Sequence, residues 1–411
     1  MLATKIKYSP SVNIVRDSSY SFNYIATPNA TGTFSTLLND INAGTKAHLL
    51  IGAYGTGKSS FLLAFKQTLE KSYTHFKGYT KIISSLPEYE VISIVGEYTS
   101  LEETIAKRYK LGKTYKSADV IAAVDKEYKA LRKKGKGIAF LVDEFGKFLE
   151  YAAKNNTESE LYFIQLLTEW VNDIKNDALL IATLHQGFAS YSVSLDKTQR
   201  QEWEKVRGRL KEIPFNEPVE QLLFLAAERI DQKFSNKPID KNFDKLFTVI
   251  KDAKAFPLRD YFDKDTAKKL YPFDILAAGL LTLSLQRYGQ NERSLFSFIE
   301  SNDHLSIASQ NDTGMPYYSI PNVYDYLLFS YYSVISTKQQ NSNYQQWSNI
   351  RNTLEKIDGL FSTEHEQINA EALVKTIGLL NIFATGAARL EPQFYITMQS
   401  LHWELINLKK Y

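Results

Sequence analysis

Two groups of residues in this chain have the types and spacing for phosphate chemistry. The first is GAYGTGKSS (residues 52–60), which fits G-x-x-x-x-G-K-[ST]. Gly52, Gly55 and Gly57 let the backbone approach a phosphate closely and take φ > 0 where needed. With Tyr54, Thr56 and Ser60 they make a loop whose N–H groups turn inward as an anion nest at the positive end of the next helix. Lys58 would neutralise β- and γ-phosphates, and the Ser59 hydroxyl would ligate Mg²⁺. The second group is the acid pair Asp143 and Glu144, closing AFLVDE (residues 139–144). Asp143 would hold Mg²⁺ through water, and Glu144 would be the general base that polarises an attacking water. Together the groups point to hydrolysis of a nucleoside triphosphate. A metabolic kinase is disfavoured, because the acid pair suits water activation and no site for a substrate hydroxyl is visible.

These residues need strands and helices to position them. HLLIG (48–52) is a short apolar run entering the loop, and Phe61, Leu62, Phe65 and Leu69 follow at helical spacing. EVISIV (90–95) reads as a second strand. A helix through Ile121, Val124, Tyr128 and Leu131 comes next, and IAFLVDEFG (138–146) is the strand that carries the acids. That strand is expected beside the loop strand, so that lysine and acids meet over one triphosphate from adjacent rungs of one sheet. ELYFIQLLTEWVNDI (160–174) reads as a helix, ALLIATLHQ (178–186) as a buried strand and EIPF (212–215) as a short fifth strand. Near-continuous apolar strands of this kind suit a parallel sheet covered on both faces. Beyond Pro218 helical spacing dominates, and SQNDTGMPYY (309–318) looks like a linker. The expected organisation is an α/β core over 1–217, a helical lid over 218–315 and a helical module over 316–411.

Composition narrows the class further. With 411 residues, 44% of them hydrophobic, the chain can bury a large core and fill two or three domains. It has no cysteine, which excludes disulfides and thiolate metal sites and fits a reducing cytosol. No run of 18 apolar residues and no signal-peptide core occurs, so a cytoplasmic location without membrane insertion is expected. A net charge of +3 is no global sign of a nucleic-acid binder. KALRKKGKG (129–137) is the local exception and reads as a solvated helix end.

An acid directly after the Mg²⁺-binding aspartate marks the P-loop NTPases with an extra central strand (the ASCE type). ALLIATLHQ supplies that strand, with Thr183, His185 and Gln186 near its end and Thr183 or His185 favoured as the group that senses the γ-phosphate. RQEWEKVRGRLKEIPFNEP (200–218) follows. Here the chain resembles the AAA+ ATPases, in which arginines in such a turn project into a neighbouring subunit's nucleotide. Arg207 and Arg209 are the matching residues. GQNERSLFSF (289–298) looks like the second-sensor element of AAA+ and STAND ATPases, with Arg293 at the arginine that reads the γ-phosphate. These elements, with LVDEFGKFLEY and TLHQGF, resemble the ATPase part of bacterial phage-defence proteins related to the BREX ATPases. The resemblance spans about residues 11–383. It implies ATP as the nucleotide (no N-K-x-D motif specifies guanine), a homo-oligomer, and a nuclease, other effector protein or DNA as partner. It also implies adenine packing near Tyr24 and Ile25. EALVKTIGLLNIF (371–383) looks like the first helix of a winged-helix module, for which no wing is evident. Relatives of that kind continue into further domains, so the chain is a compact version or a part of a longer one. Two functions fit: an Mg²⁺-dependent AAA+/STAND-like ATPase switch or motor in antiviral defence, and a nucleotide-gated DNA- or protein-binding module, initiator- or loader-like, in which hydrolysis only resets the bound state.

Overall fold

The computed structural model describes residues 12–19, 24–112, 114–193, 195–215, 219–233, 243–256, 262–289, 292–300, 304–307, 317–339 and 341–386. The chain divides into two compact units, Met1–Asn216 and Glu217–Tyr411.

The first unit runs α1 (Pro28–Asn42), β1 (Ala47–Ile51), α2 (Lys58–Leu69), α3 (Thr80–Ser85), β2 (Glu88–Val95), α4 (Leu101–Arg108), α5 (Ser117–Arg132), β3 (Lys136–Asp143), α6 (Gly146–Lys154), α7 (Thr157–Asn172), β4 (Ala178–Leu184), α8 (Lys197–Arg207) and β5 (Lys211–Pro214). The strands form one parallel sheet in the order β2-β3-β4-β1-β5. Side chains alternate between its faces. Leu49, Phe140 and Leu180 face one core with Val124, Phe148, Ile164 and Trp203. Leu50, Leu141 and Ile181 face the other with Phe34, Phe61 and Phe65. Helices therefore cover both faces, as the apolar runs require.

Sheet order follows from which strands are apolar throughout. β4 is buried at every position, whereas the edge strands β2 and β5 alternate with exposed residues such as Glu90 and Lys211. A strand that is buried on both faces stabilises the molecule most at the centre. β4 accordingly lies between β1 and β3. The acid strand is thus not the immediate neighbour of the loop strand, contrary to the expected adjacent rungs. The loop and the acids still emerge at the same C-terminal edge, with β4 between them.

Local signals account for the helices. α2 buries Phe61, Leu62, Phe65 and Leu69 at the expected spacing, and α5 buries Val120, Val124 and Tyr128. α1 begins where the Thr27 side chain accepts from the Ala30 amide and Pro28 takes the first helical position. Ser100 caps α4 in the same way, through the Glu103 amide.

The second unit comprises α9 (Val219–Lys233), α10 (Phe243–Asp252), α11 (Lys264–Lys268), α12 (Ile275–Tyr288), α13 (Glu292–Glu300), α14 (Ile320–Ser330), α15 (Tyr332–Ile335), α16 (Tyr344–Ile357) and α17 (Glu364–Phe383), with no strand among the described residues. α12 is buried along nearly its whole length and packs against α9, α14 and α17, joining helices on both sides of residue 315. Trp347 stacks on Tyr324, with ring centroids 5.6 Å apart, and donates its indole N–H to the Tyr288 hydroxyl at 2.9 Å. Residues 309–316 of the expected linker lie outside the described residues. Tyr318 at its end is buried, with its backbone N–H donating to the Pro272 carbonyl at 2.7 Å. Pro218 and the stretch 387–411, where a wing would fall, are likewise outside the described residues. No described helix is long and apolar enough to cross a membrane.

Candidate nucleotide site

β1 delivers the chain into the glycine loop, and the loop turns into α2 through backbone that only glycine adopts freely. Gly55 and Gly57 have φ of 71° and 80°. Gly57 is the N-cap of α2, and no side chain caps the first-turn amides behind it. Gly52 has a different duty. A Cβ there would lie 2.0 Å from the Phe215 carbonyl oxygen, because the end of β5 runs tightly against the loop. Ser59 and Ser60 are half-buried at the start of α2.

Lys58 is 5% exposed and folded back over its own loop, donating to the carbonyls of Gly52 at 2.6 Å and Ala53 at 2.7 Å. Burial pushes its ammonium down to about 8, and the carboxylates of Asp143 and Glu144 oppose that shift. A charged lysine held among backbone carbonyls beside an uncapped helix start is suited to a polyanion. Phosphate oxygens there would favour the protonated form, so the bound-state pKa would lie above that of the free protein and binding would take up a proton above about pH 8. Nucleotide affinity should be flat below that pH and fall by up to about tenfold per pH unit above it. Calorimetry in two buffers of different ionisation enthalpy, at about pH 7 and about pH 9, reads the proton uptake directly. Equal uptake at both would refute the coupling.

β3 ends in the acids. Asp143 is 5% exposed and accepts the Thr183 hydroxyl proton at 2.7 Å. The same hydroxyl accepts from the Glu144 amide at 2.9 Å, and the Phe145 amide donates to the Thr183 carbonyl at 3.0 Å. Thr183, fully buried on the intervening strand, therefore holds both acids in place. Glu144 is left-handed at φ 53°, a conformation that costs a non-glycine residue on the order of 1–2 kcal/mol. Gly96, at the end of β2, makes that turn possible: a Cβ on it would lie 2.0 Å from the Glu144 carbonyl oxygen. The Glu144 carboxylate pairs with Lys147 at 2.8 Å. Neither Gly96 nor Lys147 is singled out by the sequence patterns. A glycine directly after the EVISIV run is the one signal for the first, and for the second there is none.

His185, just past β4, lies with its ring stacked on Tyr54 of the loop, with centroids 3.4 Å apart. Both of its ring nitrogens are buried without a hydrogen-bond partner. Burial, then the charge on Lys58, pushes it down to about 4, so it is neutral at pH 7. Of the two candidate sensing residues, Thr183 has its hydroxyl occupied by the acids, and His185 has unsatisfied polar atoms within the electrostatic reach of Lys58 and Glu144.

The arginines are elsewhere. Arg207 ends α8 and pairs with Glu204 at 3.2 Å and Glu212 at 3.5 Å, and Arg209 pairs with Glu169 at 2.7 Å. Both precede β5, whose first residue, Lys211, is aligned with His48 near the start of β1. They therefore lie at the sheet edge opposite the loop and cannot serve this chain's own nucleotide. Arg293 is on α13, and its side chain is outside the described residues. Tyr24 meets the rings of His75 and Phe76 at 5.7 and 6.0 Å.

Mg²⁺ is usually held by one or two protein oxygens together with substrate phosphates. Ser59 and Asp143, on the loop side and the acid side of the same edge, would be the residues to meet that need. The residues present fit a nucleoside triphosphate with its metal.

No family model and no curated protein matches the chain. Among solved structures, it is similar to Drosophila ORC bound to DNA, with 12% identity and a TM-score of 0.44, covering 97% of this chain and 86% of that one. It is similar to Aeropyrum pernix ORC1 in complex with DNA, with 11% identity and a TM-score of 0.38, covering 94% and 86%. Cdc6p from Pyrobaculum aerophilum gives 15% identity and a TM-score of 0.38, covering 94% and 89%. At this distance the likeness adds nothing to the geometry of the site.

Proposed function

We propose that this chain, an α/β protein of the P-loop NTPase fold, is an Mg²⁺-dependent ATPase of the AAA+/STAND kind that works as a nucleotide-driven switch or motor. One observation carries the reading: Lys58 and Ser59 on the loop and Asp143 and Glu144 on β3 open onto one sheet edge, with Thr183 tying the acids together from the strand between. Lys58 and the first-turn amides of α2 bind phosphate oxygens, with Tyr54, Thr56 and Ser60 shaping the loop. Ser59, and Asp143 through water, would hold Mg²⁺, which when bound would supply positive charge to the phosphate oxygens. Glu144 takes a proton from the attacking water. His185 is favoured over Thr183 as the sensing group, and a γ-phosphate-reading role for Arg293 rests on the motif resemblance alone.

Arg207 and Arg209 would complete the site of a neighbouring copy, which makes the working form a homo-oligomer. Expected results are retained ATP binding and a turnover lowered by about 10³-fold or more for Arg207→Ala or Arg209→Ala, whichever is the finger. Mixing that variant with Lys58→Ala subunits, whose arginines are intact, should restore activity. Phosphate release and nucleotide binding measured on the same preparations check this, with mass determined with and without ATP. Loss of ATP binding in the arginine variants would remove the finger role.

The initiator- or loader-like alternative, a module whose grip on DNA or protein is gated by nucleotide, is supported equally by the same site. ATPase activity measured alone and with DNA separates the two. A role in phage defence, and a nuclease partner, rest on the motif resemblance alone.

A further inference from the structure

We infer that the exposed face of α5 and the turn after it form a docking surface for a nucleic-acid backbone, remote from the nucleotide site. Between residues 125 and 136 the chain places Lys126, Lys129, Arg132, Lys133, Lys134 and Lys136 against only Asp125 and Glu127. The structure shows how few of these charges are neutralised. Asp125 pairs with Lys129, Glu127 with Arg108 at 3.5 Å, and Glu88 with Lys136 at 2.6 Å. Lys126, Arg132, Lys133 and Lys134 are exposed and make no ion pair among the described residues. Because α5 turns Val120, Val124 and Tyr128 into the core, Lys126, Lys129 and Lys133 share its outward face. Ala122 and Ala130, with Asp125 held by Lys129, line a shallow groove among them.

A solvated helix end, the reading that the sequence invites, accounts for part of this. Cations favour a helix C-terminus, but the effect fades within the last turn. Lys126 lies more than a turn and a half before the end of α5. Along the helix, Lys126 to Lys133 spans about 10 Å, the axial rise of roughly three nucleotides of a duplex strand. The alanines let a sugar–phosphate backbone approach the row closely. They offer no bulky apolar group of the kind that inserts into a lipid surface or anchors a protein interface. The patch opens at the N-terminal end of β3. About 23 Å of strand separates it from Asp143. A polyanion could therefore engage it without entering the phosphate loop, and the inference does not rest on ATP hydrolysis.

The test is fluorescence anisotropy of a labelled mixed-sequence duplex DNA with the full chain, without nucleotide, over a series of salt concentrations. Wild-type protein should bind with a log–log salt slope of about −3 to −4, as expected for four neutralised phosphates. A variant with Lys126→Ala, Arg132→Ala, Lys133→Ala and Lys134→Ala should lose most of that slope and on the order of 10- to 100-fold in affinity at low salt. All four sites are exposed, and a matching thermal midpoint would show that the fold is kept. Lys71→Ala, Lys77→Ala and Lys81→Ala, which remove charge from elsewhere on the first unit, should leave the slope unchanged. The inference is overturned if wild type ignores DNA, if both variants lower the slope alike, or if the patch variant loses binding to anionic vesicles while retaining DNA.

Discussion

Replacing Glu144 with glutamine is expected to leave ATP binding intact and to slow hydrolysis by about 10²–10⁴-fold, the usual contribution of a positioned general base. The backbone around it is over-determined. Its amide is engaged by Thr183, its carbonyl is pressed against Gly96, and the next amide is bonded to β4. An amide of the same shape should therefore occupy the same place while losing the ability to take a proton. The ion pair with Lys147 bears on the same event. The carboxylate bonds that ammonium through one oxygen, which raises the Lys147 pKa and leaves the second oxygen to orient a water. Phosphate release, together with binding of a fluorescent ATP analogue, measures the two properties separately. A variant as active as wild type would mean that the base lies elsewhere. The same variant divides the two functional readings. In a motor the ATP-trapped form should accumulate as an oligomer without activity, whereas in a gated module it should hold DNA or partner at full strength.

Lys58→Ala should abolish nucleotide binding at concentrations that saturate wild type and have a much smaller effect on the ligand-free fold. The ammonium is buried, so its removal relieves a desolvation cost while leaving the Gly52 carbonyl without its lysine donor (the Ala53 carbonyl keeps the Thr56 hydroxyl), two changes of opposite sign. With ligand the balance is one-sided, because the loop then faces several phosphate charges. Saturating ATP with Mg²⁺, at about 100 times Kd, should stabilise wild type by about 2.7 kcal/mol, and it should leave the variant unshifted. Thermal unfolding with and without nucleotide reads this directly. A variant still stabilised by ATP would show that the loop binds through its backbone alone.

Much of the site is legible from local patterns. The loop, its entering strand, its following helix and the D-E pair each depend on residues within a few positions of one another, and the structure has them close to where the spacing puts them. Thr27-Pro28 before α1 and Ser100 before α4 are equally local signals, present in the sequence though absent from the elements it was expected to form. Legibility fails where the decisive contact joins distant residues. The use of the Thr183 hydroxyl to hold Asp143 and Glu144 depends on two strands 40 residues apart meeting in register. The stack of Tyr54 on His185 and the tight approach of Gly96 to Glu144 are similar cases.

Charge shows the same division. Six cations in twelve residues can be counted in any listing of the chain, but which of them lack partners depends on where Glu88, Arg108 and Asp125 come to rest. The sequence by itself determined the groups on offer, a glycine-rich loop with its lysine and an acid pair on apolar strands, because residue type and short-range spacing dictate those. Tertiary structure alone decided that β4 separates the two groups, that Arg207 and Arg209 face away from them, and that one side of α5 is left uncompensated. The reason is that strand order is chosen by how completely each strand can be buried on both faces, a property of the assembled sheet and not of any one segment.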